Sequence, residues 1–243
     1  MGNGAQGFSE QRLPIVFERN RGQTDSRVQF LARGSGYTLF LGPDAVTAVI
    51  RGAARGSTDS NNTLDRQDYA TVGGPPTAEQ GSTEPPTPFR AVRMQFVGSN
   101  DETTFEGREP TGGISNYFIG TDPDEWRTDI PHYRCVTYHD VYPGVDVVYY
   151  GAGRNLEYDF VVEPGADQSH IAIAFSGAGQ PVVNASGDLS FPDIERVFAM
   201  CAPVVYQEVD GEIVNVAARY QLSDNGVVSL ELDSYRSNSS SDG

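Results

Sequence analysis

The chain contains no lysine. All 17 basic side chains among its 243 residues are arginines, set against 33 acidic ones, for a net charge of −16. A field of that sign repels phosphate backbones and anionic membranes, so generic nucleic-acid or lipid-surface binding is disfavoured. The simplest reading of the acidity is a solvated surface that keeps the protein soluble. Acid excess without lysine also suits a salt-rich habitat, where screening shrinks self-repulsion, and it leads us to expect a halophilic source; a GC-rich genome would exchange lysine for arginine as well.

Long hydrophobic runs are missing too. No apolar stretch approaches the roughly 18 residues of a membrane-spanning helix. The opening "MGNGAQGFSE" lacks the basic and apolar regions of a secretory leader, and Gln6 breaks the myristoylation pattern. Cysteine is scarce, with Cys135 and Cys201 alone. They are candidates for one disulfide in an oxidising compartment, or else buried thiols. His132, His139 and His170 show no zinc spacing. Neither G-x-S-x-G nor H-E-x-x-H occurs, and a phosphate-binding loop would need the absent lysine.

What is present reads as strands. "YTLFL" and "AVTAVI" are β-favouring runs separated by Gly42-Pro43-Asp44. "AVRMQFVG" alternates, with Val92, Met94 and Phe96 on one face and Arg93 and Gln95 on the other. "LEYDFVV" groups Leu156, Tyr158 and Phe160, and "IAIAF" groups Ile171, Ile173 and Phe175. Asp122 suits the cap of a short helical turn with Pro123 at its first position. Asp210-Gly211 and Asn225-Gly226 are hairpin signals, and Tyr142-Pro143-Gly144 joins two strands of "RCVTYHDVYPGVDVVYYG".

No segment longer than about ten residues has helical periodicity. The expected fold is therefore all-β, an antiparallel β-sandwich built as one unit or as two packed subdomains, with only short helical turns. Residues 1–12 read as a flexible arm and 237–243 as a polar tail. The β-rich domain between them, 13–236, is interrupted at 52–89 by a polar, Pro-rich insertion with too little apolar surface to offset its ordering entropy.

Four blocks, "FERNRGQTDSRVQFLARGSGYTLFL", "SNYFIGTDPDEWRTDIPHYRCVTYHDVYPGVDVVYYG", "LEYDFVVEPGADQSHIAIAFSGA" and "APVVYQEVDGE", carry a family likeness. Together they resemble the N-terminal domain, of unassigned function, found in prokaryotic surface proteins with SBBP (β-propeller) repeats. The resemblance spans residues 13–232 and implies an extracellular or cell-surface β module. It supplies no catalytic residue. Such proteins continue into propeller repeats, which are absent after "LELDSYRS".

Candidate chemistry is modest. Glu157 and Asp159 share a strand face about 6.5–7 Å apart, within the carboxyl spacing of inverting glycosidases, yet they also form the wet side of an amphipathic strand. His139 beside Asp140 looks like a base with an orienting acid, but adjacent strand residues point to opposite faces. Asp122, Asp124, Asp140 and Asp146 lie at turns where carbonyls can complete a calcium shell; turn chemistry alone also favours Asp there. No other cofactor is expected. Asn61, Asn184 and Asn238 stand in glycosylation sequons. Alternation puts Tyr133 with Cys135, Thr137 and His139, puts Tyr138 with Val136 opposite, and points Tyr149 and Tyr150 apart.

The sequence thus favours a non-enzymatic surface module for adhesion or assembly. Its partners would be a surface glycan, an envelope protein or further copies of itself. A polysaccharide hydrolase acting through sheet-face carboxylates and a structural subunit of a filament or virus particle are the alternatives.

Overall fold

A computed structural model describes residues 15–34, 36–51, 89–152, 155–192, 194, 199–209 and 212–233. The expected arm at 1–12, the tail at 237–243, the sequons Asn61 and Asn238, and all of the 52–89 insertion except Phe89 lie outside these residues.

Alternating apolar and polar side chains make strands throughout, and every pairing is antiparallel. The first four strands are β1 (Phe17–Arg19), β2 (Phe30–Gly34), β3 (Tyr37–Leu41) and β4 (Ala45–Arg51). They are followed by β5 (Phe89–Phe96), β6 (Thr104–Tyr117), β7 (Arg127–Tyr142), β8 (Val145–Ala152) and β9 (Asn155–Val162). With β10 (Ala172–Ser176), β16 (Ala218–Leu222) and β17 (Val228–Leu232) they form a twelve-stranded sheet. Its order is β16-β17-β10-β5-β4-β3-β2-β1-β7-β8-β9, with β6 on the other side of β7. A three-stranded sheet comprises β11 (Val182–Val183), β12 (Leu189–Ser190) and β13 (Ala199–Met200). β14 (Val205–Val209) and β15 (Glu212–Val216) make a hairpin whose turn, at the expected Asp210-Gly211, lies outside the described residues. Among the described residues helix is confined to two 3₁₀ turns, Pro123–Glu125 and Gln168–His170. No helix among the described residues is long and apolar enough to cross a membrane.

The fold class is the one the alternation predicts, all-β and antiparallel. A single large sheet carries the core by bending back on itself. Phe96 of β5 meets Phe160 of β9 edge to face, with centroids 5.9 Å apart. The Tyr142 hydroxyl at the end of β7 donates to the Ala172 carbonyl of β10 at 2.8 Å. One apolar cluster consequently takes in Phe17, Phe30, Leu41, Val92, Tyr138, Tyr149, Ile173 and Phe191. Arg51 and Phe89 are register partners, so β4 pairs with β5 along its whole length.

β7 organises the outer side. One of its edges holds β6 along most of its length; the other pairs with β1 at 132–133 and with β8 from residue 135 onward. Three irregularities interrupt this pairing. Thr111, Gly112 and Gly113 bulge opposite His132, and His139, Asp140 and Val141 bulge opposite Asp146; a third shift sets Thr128 and Asp129 against Asn116. Asp140 is held at φ 54°, in the left-handed region, as is Glu109. Tyr133 departs from simple alternation. Its ring packs edge-on against the core residue Phe30, 6.1 Å away, rather than beside Cys135. The strand turns over where its partner changes from β8 to β1, as accumulated twist allows.

Candidate functional site

Cross-strand registry lays two rows of side chains across the outer face. Arg108, Cys135, Tyr150 and Glu157 make one row; Glu106, Thr137, Val148 and Asp159 make the next. The inner face of the same strands buries Val136, Tyr138 and Tyr149 completely. Tyr149 and Tyr150 therefore point apart as expected, and Tyr150 is left at the surface.

Around Tyr150 the outer face sinks into a shallow open depression of about 420 Å³. Glu109, Arg134, Tyr150 and Asp159 supply its polar atoms, while Cys135 and Val148 lie among its lining. Glu157 and Asp159 are both exposed, on the wet side of β9. Both also converge on one phenol: Tyr150 donates to Asp159 Oδ1 at 3.2 Å, and the charge of Glu157 acts on the same hydroxyl. Partial burial and these carboxylates push the Tyr150 hydroxyl up to about 12. It remains a donor at any physiological pH. The carboxylate pair is thus a brace for an aromatic side chain.

Cys135 and Cys201 are free thiols, one partly buried in the depression and the other exposed after β13. The two candidates stand apart here, Cys135 lining the outer face of β7 and Cys201 following β13, where its carbonyl accepts from the Tyr220 hydroxyl of β16 at 3.0 Å. Burial, reinforced by the charge of Glu109, raises the Cys135 thiol above its ordinary value.

The calcium candidates fall into two separate turns. Asp122 caps the Pro123–Glu125 turn, its Oδ1 accepting the Asp124 N–H at 3.0 Å. Asp146 spends both oxygens on the second bulge, accepting from His139 Nδ1 and from the Asp140 N–H, each at 2.9 Å. Asp140 accepts from the Gly144 N–H at 3.3 Å. No group of three or more His, Cys, Asp or Glu among the described residues is arranged to hold a metal ion. Asn184 lies exposed in the β11–β12 turn, its side-chain oxygen accepting the N–H groups of Ser186 and Asp188.

Some arrangements escaped the sequence. His139 takes its carboxylate partners from neighbouring strands, Asp146 on Nδ1 and Glu106 at 3.5 Å from Nε2, and not from Asp140. His132 Nε2 lies 2.7 Å from Ser115 Oγ beneath the glycine bulge. A Cβ on Gly113 would sit 3.0 Å from His132 Nδ1, so the bulge needs glycine to admit the ring. Close by, Tyr117 donates to the buried Glu18 carboxylate and accepts from Arg33 at 2.8 Å. Consecutive glycines inside a strand pattern are the one signal that hinted at this bulge.

The far end of the β6–β7 hairpin carries another surface. Phe118 is 63% exposed and Trp126 37%, with their rings edge to face at 5.1 Å.

Fold and surface together define an all-β antiparallel domain with a shallow aromatic and acidic depression on its outer face. The chain belongs to the family described as a domain of unknown function (DUF7948), which it matches over residues 17–240. No curated protein matches it. No solved structure matches it either.

Proposed function

We propose that this domain is a non-enzymatic adhesion module that binds a saccharide in the outer-face depression, at a cell surface or outside the cell. The observation that carries the reading is the convergence of Tyr150, Arg134, Glu109 and Asp159 on one open hollow. An aromatic surface suits the apolar face of a sugar ring, while carboxylates and a planar guanidinium suit its hydroxyls. The hollow is within the size range of ligand sites. The resemblance to domains that precede SBBP repeats supports the surface location, and the acid excess favours an uncharged or cationic sugar over an acidic one.

Screening the purified chain on a glycan array tests this directly. Tyr150→Ala should weaken binding to the saccharides retained by roughly tenfold or more, as loss of an anchoring aromatic does, and Asp159→Asn should weaken it while leaving the fold intact. Binding to no saccharide, or binding indifferent to both substitutions, would sink the proposal. Release of reducing ends by the wild-type chain, lost in Asp159→Asn, would favour a hydrolase instead.

A further inference from the structure

We infer that the tip of the β6–β7 hairpin is a second, independent docking surface, built for a protein segment that carries arginine or lysine beside apolar side chains. The tip runs from Phe118 to Trp126. Phe118, Ile119 and Trp126 are exposed there, although most of the large apolar side chains of neighbouring β7 and β8 are buried. The Phe118–Trp126 pair holds an apolar shape without help from the core. Pro123 and the Asp122 cap fix the 3₁₀ turn between them, so the surface is pre-organised.

Charge selects the occupant. Asp122, Asp124 and Glu125 lie in the turn between Phe118 and Trp126, all exposed. The nearby cation, Arg127, turns back to donate to the carbonyls of Asp124 and Trp126, both at 3.0 Å. A second copy of the tip would bring three more carboxylates against these, on a chain already at −16, and an anionic lipid surface meets the same repulsion. A guanidinium or ammonium gains twice, from the carboxylates and from the face of an exposed aromatic ring. Apolar neighbours on the same segment would cover Phe118 and Ile119.

Trp126 is the only tryptophan in the chain, so its emission reports on this tip alone. The test titrates the full chain with an eight-residue peptide of alternating arginine and leucine, and with its glutamate–leucine counterpart. The arginine peptide should shift Trp126 emission saturably and the glutamate peptide should not. Affinity should fall about fivefold or more in the Asp124→Asn/Glu125→Gln variant, a loss of the size expected for desolvated charge pairs, and likewise in Phe118→Ser. An Asp101→Asn/Glu102→Gln variant removes the same charge from an exposed turn elsewhere and should bind as wild type does. No emission change, an equal loss in the distant variant, or a response to phosphatidylglycerol vesicles overturns the inference. None of these results bears on saccharide binding at Tyr150.

Discussion

Three buried hydroxyls set the residue-scale energetics of the central strands. Thr137 Oγ1 and the phenols of Tyr138 and Tyr149 are enclosed with no hydrogen-bond partner among the described residues. Each loses its hydration on folding and gains no bond in return, a cost of about 1–3 kcal/mol apiece. The rings themselves are well used: Tyr149 meets Tyr138 edge to face at 5.3 Å and leans on Tyr158 at 5.9 Å. Enclosure also pushes both hydroxyls well above the ordinary tyrosine value, so neither ionises in the folded state. Tyr149→Phe keeps the ring contacts and removes only the stranded oxygen. We therefore expect it to stabilise the fold by about 1 kcal/mol, read as a higher denaturant midpoint at unchanged slope. A lower midpoint would show that the hydroxyl is satisfied after all. The contrast with Tyr150 is instructive, since one step along the strand the same side chain has two carboxylate partners and a surface to serve.

At the scale of elements, regular strands were legible in the sequence and irregular ones were not. Alternation located β5, β9 and β10 by the apolar face each turns to the core, and β-favouring runs located β3 and β4, which are buried on both faces. The Asn225-Gly226 signal placed the β16–β17 connection, with Gly226 at φ 80°. β7 resisted the same reading. A bulge sets several residues against a single partner, so His139, Tyr133 and Ser115 could not be matched to partners by counting in twos. The outer-face depression was half legible for that reason. Of its lining, Asp159 and Cys135 were already candidates and alternation pointed Tyr150 away from Tyr149, whereas Glu109 and Arg134 joined them only through pairing of distant strands. Another element-scale constraint is the exit from β10. Gly177 has φ 80°, and a Cβ there would run into the Ala91 carbonyl at the β5 edge. Backbone cannot yield as a flexible side chain can. Gly177→Ala should thus cost about 2–4 kcal/mol, separating β10 from β5. Thermal melting measures it, and an unchanged melting temperature would mean that the β10–β5 pairing is looser than its four-residue register implies.

For the whole molecule, the governing quantity is the surplus of carboxylates. Arg93 reaches both oxygens of Asp44 through one nitrogen, and two further arginines make fork-like pairs, Arg27 with Asp25 and Arg219 with Glu231. Such geometry suits a guanidinium and would be lost on a lysine. Yet 33 acids against 17 arginines leave a net −16 even if every arginine were paired. Salt acts on the two populations in opposite senses. It weakens exposed pairs, which contribute only about 0–1 kcal/mol each, and it relieves repulsion among unpaired carboxylates over the entire surface. The screening length falls from about 10 Å at 0.1 M to about 3 Å at 1 M, shorter than the spacing of most surface charges. Relief should win, because the pairs are few and the surplus extends across the chain. A gain of ~2 kcal/mol corresponds to a rise of about 4–8 °C in melting temperature for a chain of this size. We expect that rise between 0.1 and 1 M NaCl, most of it in the lower half of the range and equally with KCl, since screening does not distinguish the two cations. A flat profile would mean that repulsion among the surplus carboxylates costs the fold little and that the missing lysine reflects genome composition alone.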